Sequence, residues 1–266
     1  MLGLGTNLIS NESTRQLGYN NTYSVSFDGT NEYIDTGNSF KTTIQKSHTF
    51  SLWMKTPTNA ELDNSAVIFG TNDTLTDNGF QLYNKAGKLA YTFYANTDGS
   101  RQIDSSTTWT QATGDGDGTD NVWWHLVIVS NKGSGGGAGS TVIYKNGTVL
   151  TTSNEIGTIT GTNQGNYEND NNLYIGSVNN ATTRASAIES YIDEFALWDV
   201  ALDAAAVASI SYYGKDLLED NGGYSSAEDL VAYYRLNEGS GTTATDAIET
   251  SHGTLTNGPS YVTDAP

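Results

Sequence analysis

Short segments that alternate apolar and polar residues recur along most of this chain at roughly ten-residue intervals, with Gly, Asn and Asp between them. That rhythm restricts the fold more than any other feature, because segments this short bury apolar surface only by pairing into sheets. Ser24-Val-Ser-Phe27 and Glu32-Tyr-Ile-Asp35 come first, followed by Thr49 to Lys55, where Phe50, Leu52 and Met54 share one face. Ala66 to Phe69, Phe80 to Tyr83 and Leu89 to Tyr94 keep the spacing, and Leu173 to Ile175 and Tyr191 to Trp198 extend it. Val122 to Val129 is apolar on both faces and reads as a central strand covered on two sides. Thr141 to Lys145 meets Asn146-Gly147, whose residues tolerate positive φ, so Thr148 to Leu150 returns as the second arm of a hairpin. One helix is expected, from Leu202 to about Tyr213, capped by Asp203 and stopped by Gly214.

The fold class that follows is all-β, a two-sheet antiparallel jelly-roll sandwich with one short helix in the C-terminal half. The 28 aromatic residues, 16 Tyr, 7 Phe and 5 Trp, suit such half-buried pleated surfaces. Residues 1–21, rich in Asn, Ser, Thr and Gly, read as an N-terminal arm, and 22–266 as a single domain.

Thirty acidic against twelve basic residues give a net charge of −18, which disfavours nucleic acid and anionic membranes and tolerates cations such as Ca²⁺. Without cysteine there is no disulfide, thiol nucleophile or Cys-based zinc site. No apolar run is long enough for membrane insertion, and the first residues lack the pattern of a secretion signal.

The ordered motifs Phe27-Asp28-Gly29, Tyr33-Ile34-Asp35, Phe50 to Lys55, Trp123-Trp124-His125-Leu126-Val127, Tyr144 to Gly147 and Ile192-Asp193-Glu194-Phe195 with Ala201-Leu202-Asp203 resemble the laminin-G-like family of concanavalin A-like sandwiches. The resemblance covers about Tyr23 to Tyr213 and implies a lectin-like sandwich with a structural Ca²⁺. Leu230 to Asp246 with His252 to Leu255 is similar to the segment that opens the family pattern but here comes last, so residues 217–266 are expected to supply a closing strand pair. The Met-Leu-Gly-Leu-Gly start resembles virion structural proteins of marine tailed phages.

Glucanases of this fold place acidic residues at i, i+2 and i+4 on one strand. Glu189, Asp193 and Glu194 miss that spacing, and as neighbours Asp193 and Glu194 are expected to point to opposite faces. His48, His125 and His252 lie in no zinc-binding spacing, so no catalytic residue is assigned and the chain reads as a non-enzyme. Alternation puts Asp193 on the face of Tyr191, Phe195 and Leu197, where a buried carboxylate needs compensation. Two sources are open: backbone amides of the Asp28-Gly29 turn, or a Ca²⁺ bound by Asp28 and Asp193. For a glycan platform, an aromatic ring rimmed by polar groups, the candidates are Trp109, Tyr94 and Tyr167. Gly133 to Gly139 is expected to be a mobile loop, and Gly114 to Asp120 a solvated acidic turn.

The expected role is a virion surface protein, a capsid decoration or tail-fibre adhesin that contacts host glycans or other virion proteins, assembling as a homo-oligomer. The alternatives are a secreted bacterial carbohydrate-binding or adhesion module in an extracellular setting and, third, a glycan hydrolase or lyase.

Overall fold

The computed structural model describes residues 21–57, 66–71, 79–95, 100–106, 121–178, 187–212 and 216–266. Its strands are β1 (Ser24–Asp28), β2 (Tyr33–Asp35), β3 (His48–Lys55), β4 (Val67–Gly70), β5 (Gly79–Lys85), β6 (Lys88–Tyr94), β7 (Ser100–Ser105), β8 (Trp124–Asn131) and β9 (Ser140–Lys145). They continue as β10 (Thr148–Val149), β11 (Thr152–Ile156), β12 (Tyr174–Ile175), β13 (Glu189–Trp198), β14 (Leu230–Tyr234), β15 (Thr243–Ala244), β16 (Gly253–Thr256) and β17 (Ser260–Val262). An eight-stranded sheet runs β10-β9-β8-β3-β13-β1-β17, with β14 also on β13, and a nine-stranded sheet runs β11-β7-β6-β5-β4-β12-β2-β16-β15. Their ladders are antiparallel, as the expected jelly-roll sandwich requires.

Alternation decides which face is core. Phe50, Leu52 and Met54 of β3 and Leu126 and Ile128 of β8 meet Phe80, Leu82, Leu89, Tyr91 and Phe93 of the opposing sheet in one buried cluster. Phe50 lies 4.9 Å from Phe69 and 5.1 Å from Phe80, ring centroid to centroid, across the middle of the sandwich.

The outer face of the eight-stranded sheet is covered only in part. Val127, Val129, Ala196 and Trp198 form a second buried cluster with Leu202, Ala206, Val207 and Ile210. The last three lie on helix α3 (Ala204–Ile210), capped as expected by Asp203, whose side chain accepts the N–H of Ala206 at 2.8 Å. The helix ends at Ser211, whose hydroxyl turns back onto the Val207 carbonyl. Two single-turn helices not expected from the sequence, α1 (Lys41–Ile44) and α2 (Gly161–Gly165), sit in loops. They carry too few residues for a helical period to be visible.

The C-terminal segment provides more than one closing pair: β14 and β17 join β13 and β1, while β16 joins β2 and carries β15. Asp246, fully buried, binds this return together: Oδ1 accepts the N–H groups of Tyr233 and Ile248, and Oδ2 those of Thr250 and Ser251.

Gly133 to Gly139 is not a loose loop. Gly161 N–H donates to Gly137 O, Thr162 N–H to Gly135 O and Gly139 N–H to Ile159 O, locking the segment against the start of α2. A Cβ at Gly161 would stand 1.8 Å from the Gly133 carbonyl oxygen. Gly133, Gly139 and Gly161 are needed because backbones touch there, a reason composition alone cannot reveal, whereas a Cβ at Gly135 or Gly136 would meet nothing.

Candidate functional site

Among the described residues, helix α3 leaves one end of the eight-stranded sheet uncovered, and aromatic residues occupy it. On β3 the outward positions next to the core residues are Trp53 and Lys55, and the ladder places Tyr191 of β13 opposite Lys55, and Asp193 and His125 on either side of Trp53. Trp123, just before β8, completes a row Tyr191–Lys55–Trp123. The Lys55 ammonium lies 4.6 Å from the Tyr191 ring centroid and 5.4 Å from that of Trp123, held between two negative ring faces. Its charge is met by Asp264, which also accepts the indole N–H of Trp123 at 3.2 Å. Trp53 packs on His125 with centroids 5.0 Å apart.

Lys55 is buried, whereas Trp53, Trp123, Tyr191 and Asp264 are half-buried. Buried His125 is pushed down to about 3 by desolvation, so its imidazole is neutral and accepts or donates one hydrogen bond with Ser211 Oγ at 2.9 Å. The arrangement offers flat apolar ring surface with a carboxylate at its edge, and its one cation is already matched. Such a surface suits stacking of an apolar ring face with hydrogen bonds at its rim. Trp53 and Tyr191 sit inside strands and Trp123 directly before one, so no loop pattern marks them in the sequence. Outward alternation from Phe50-Leu52-Met54 was the signal that could have found Trp53 and Lys55.

The residues singled out from sequence do not converge. Trp109 lies outside the described residues, as do the 1–20 part of the N-terminal arm and the Gly114 to Asp120 turn. Tyr94 is half-buried on the outward face of the other sheet, at the end of β6 opposite Gly79. Tyr167 is no platform: it is fully buried, 5.4 Å from Phe93, with its hydroxyl 3.1 Å from Thr71 Oγ1, and it plugs the sandwich. Asp28 is exposed and accepts the Thr30 N–H. Because Asp28 pairs with Glu189, Asp193 stands four residues further along β13, roughly 13 Å away, and one ion cannot bridge the two.

Asp193 is compensated in another way. The lower edge of β13 (Glu189 to Ile192) pairs with β1 and the upper (Phe195 to Trp198) with β14, and a bulge at Asp193-Glu194 fills the junction. Glu194 there adopts φ +52, which resets the alternation, so Ile192, Phe195 and Leu197 all face the core and Asp193 does not. The same twist brings together two carboxyls expected on opposite faces. The Asn21 amide donates to Asp193 Oδ2 at 2.6 Å and to Glu194 Oε1 at 3.2 Å, and Tyr233 donates to the other Glu194 oxygen. The backbone N–H of Glu194 supplies Asp193 Oδ1 at 3.0 Å. Burial pushes both carboxyls up, Glu194 to about 8, and the hydrogen bonds offset this only partly. Among the described residues no group of three or more acidic, His or Cys side chains is arranged to hold a metal ion.

Two large antiparallel sheets packed face to face, with Greek-key returns and a helix over one outer face, define a jelly-roll sandwich of the lectin type. The chain belongs to the concanavalin A-like lectin/glucanases superfamily, whose laminin-G-type model matches residues 28–208. No curated protein matches the sequence. Among solved structures, it is similar to a Bacteroides ovatus protein provisionally described as carbohydrate-binding, at 19% identity and TM-score 0.59, over 92% of this chain and 61% of that one. The chain thus spans about three fifths of that protein's length. It is also similar to the CBM40 of a Ruminococcus gnavus IT-sialidase bound to α2,3-sialyllactose, at 14% identity and TM-score 0.51, over 71% of this chain and 96% of that one. A heptameric SAP-like pentraxin from Limulus polyphemus matches at 15% identity and TM-score 0.50, over 80% of this chain and 91% of its own. At these identities the likeness is one of fold.

Proposed function

We propose that the protein is a non-catalytic glycan-binding module that attaches to surface carbohydrate through the row Tyr191–Lys55–Trp123 and the neighbouring Trp53. The observation that carries this reading is the row itself: half-buried rings with a polar rim, on an end of the sheet that α3 leaves uncovered among the described residues. Binding modules among the proteins of similar fold support it. A lectin-like module of this kind serves adhesion, and on a phage particle it would act as a decoration or fibre-tip protein at the virion surface.

A glycan array read with and without calcium identifies the ligand, and titration of Trp123→Ala and Tyr191→Ala then tests the site. Each variant is expected to lose at least tenfold in affinity, about 1.4 kcal/mol or more, while its melting temperature stays within a few degrees of the unmodified protein. Full affinity in both variants would sink the assignment of this face. New reducing ends or unsaturated ends from a β-glucan and alginate panel would overturn the non-catalytic reading, and proteomics of purified phage particles checks the virion setting.

A further inference from the structure

A second concave place on the molecule has the size of a small-ligand site. A groove of about 440 Å³ opens between the loop and first turn of α1 on one side and β14 with the 246–250 turn on the other. That volume falls in the range of small-molecule sites. One wall presents Asn38, Ser39, Thr42 and Thr43, the other Val231, Ile248 and Thr250.

Among the described residues no hydrogen bond engages the side-chain hydroxyls of Ser39, Thr42, Thr43 and Thr250, and Thr42 and Thr250 are exposed, so these groups are open to a ligand or to water. Asn38 uses its Oδ1 to hold the Phe40 N–H at 2.9 Å, which leaves its amide NH₂ for a ligand. Hydroxyls and an amide with spare capacity, set beside aliphatic side chains, match a molecule that alternates hydroxyls with C–H faces. Charge on the wall is already spent, since Lys41 is paired with Glu168 at 2.7 Å and Asp170 at 3.0 Å. An anion would find no free counter-charge among the residues that line the groove.

Both walls are fixed before any ligand arrives. Phe40 sits in the left-handed region at φ 50, a costly place for a bulky residue, and is held there by Asn38 and by its ring in the core. The opposite wall hangs on Asp246, which accepts the N–H groups of Ile248 and Thr250. Rigid walls reduce the entropy cost of binding.

From these observations we infer that the groove between residues 38–43 and the 231–250 wall is a binding site for a neutral mono- or disaccharide. It is independent of the aromatic row and on a different part of the surface. The test titrates the isotope-labelled full chain with glucose, galactose, mannose, N-acetylglucosamine, maltose and lactose, and with glucuronate as a charged comparison, following the backbone amide signals of Thr43, Ile248 and Thr250. Saturable shifts of these three amides with a neutral sugar at roughly millimolar concentration, and none with glucuronate, support the site. Thr42→Trp, which fills the groove, should then abolish the shifts. Thr43→Val with Thr250→Val should weaken binding about fivefold or more, the worth of a lost hydrogen bond. Trp123→Ala, which is expected to weaken the aromatic row, should leave the groove's own affinity, read from these three amides alone, unchanged. Absence of saturable shifts at these amides with every neutral sugar overturns the inference, as does unaltered binding in Thr42→Trp. Loss of binding in Trp123→Ala with retention in Thr42→Trp would also overturn it, and would leave the aromatic row standing as the glycan site.

Discussion

Single residues decide the geometry at two points that strand patterns do not reveal. Glu194, at φ +52, shifts the phase of β13 by one position, so two neighbouring carboxyls meet at the Asn21 amide instead of parting to opposite faces. Asp246 takes four backbone N–H groups while fully buried, and so adds to the single bridge that joins this turn to Tyr234. Asp246→Ala leaves the buried Tyr233 N–H and three part-buried N–H groups unmet, and an unmet buried donor costs about 1–3 kcal/mol. The variant is expected to lose about 3 kcal/mol or more in urea unfolding, and a loss below about 1 kcal/mol would show that the turn is held by other contacts. In the sequence Asp246 was visible only as one letter of a motif placed last, because its partners are main-chain groups that any residue carries.

At the scale of elements, the long apolar strands were legible and the polar edge strands were not. β3, β8 and β13 could be read because their core positions are apolar at period two, apart from the bulge. β7, with sequence Ser-Arg-Gln-Ile-Asp-Ser, places only Ile103 in the core cluster, and β11 pairs with it as an edge of polar composition. Neither has a pattern to detect. The Asn146-Gly147 hairpin follows its local chemistry, with φ of 49 and 75 at the two turn residues. The Gly133 to Gly139 segment departs from its own, since its backbone is hydrogen-bonded to the start of α2 and Gly133 and Gly139 lie too close to neighbouring backbone for a side chain. Gly161→Ala would drive a methyl into the Gly133 carbonyl, and should lower the melting temperature by several degrees while Gly136→Ala, where a Cβ meets nothing within 4 Å, leaves it nearly unchanged. Equal effects at the two positions would contradict the close-packed account.

At the scale of the whole molecule, the buried titratable groups set a stability profile that runs in opposite directions on the two sides of neutrality. Glu194 and Asp193 are raised by burial, so the stability linked to Glu194 is full below its ordinary value of 4.5 and is lost as pH rises through about 8. His48 and His125 are lowered by burial, to about 4 and about 3, so their share is full above 6.5 and is lost as pH falls through those values. Thermal unfolding followed from pH 4 to 9 should therefore peak between roughly 5 and 7 and decline on the alkaline side by a few kcal/mol. Glu194→Gln, which keeps an acceptor for Tyr233, should flatten the alkaline decline; an unchanged slope would remove Glu194 as its cause.

The sequence by itself determined the sandwich, most of its core strands, the cap of α3 and the hairpin turn, because each of these depends on residues close together along the chain. Tertiary structure alone decided which outward side chains gather on the open end of the eight-stranded sheet, which carboxyls meet at the bulge, and that Tyr167 is core while Trp53, Trp123 and Tyr191 face out. Lys55 and Asp264 are brought together over more than 200 residues of chain by a strand that returns to β1 at the end of the fold. Proximity of that kind is set by sheet order and register, which local composition does not encode.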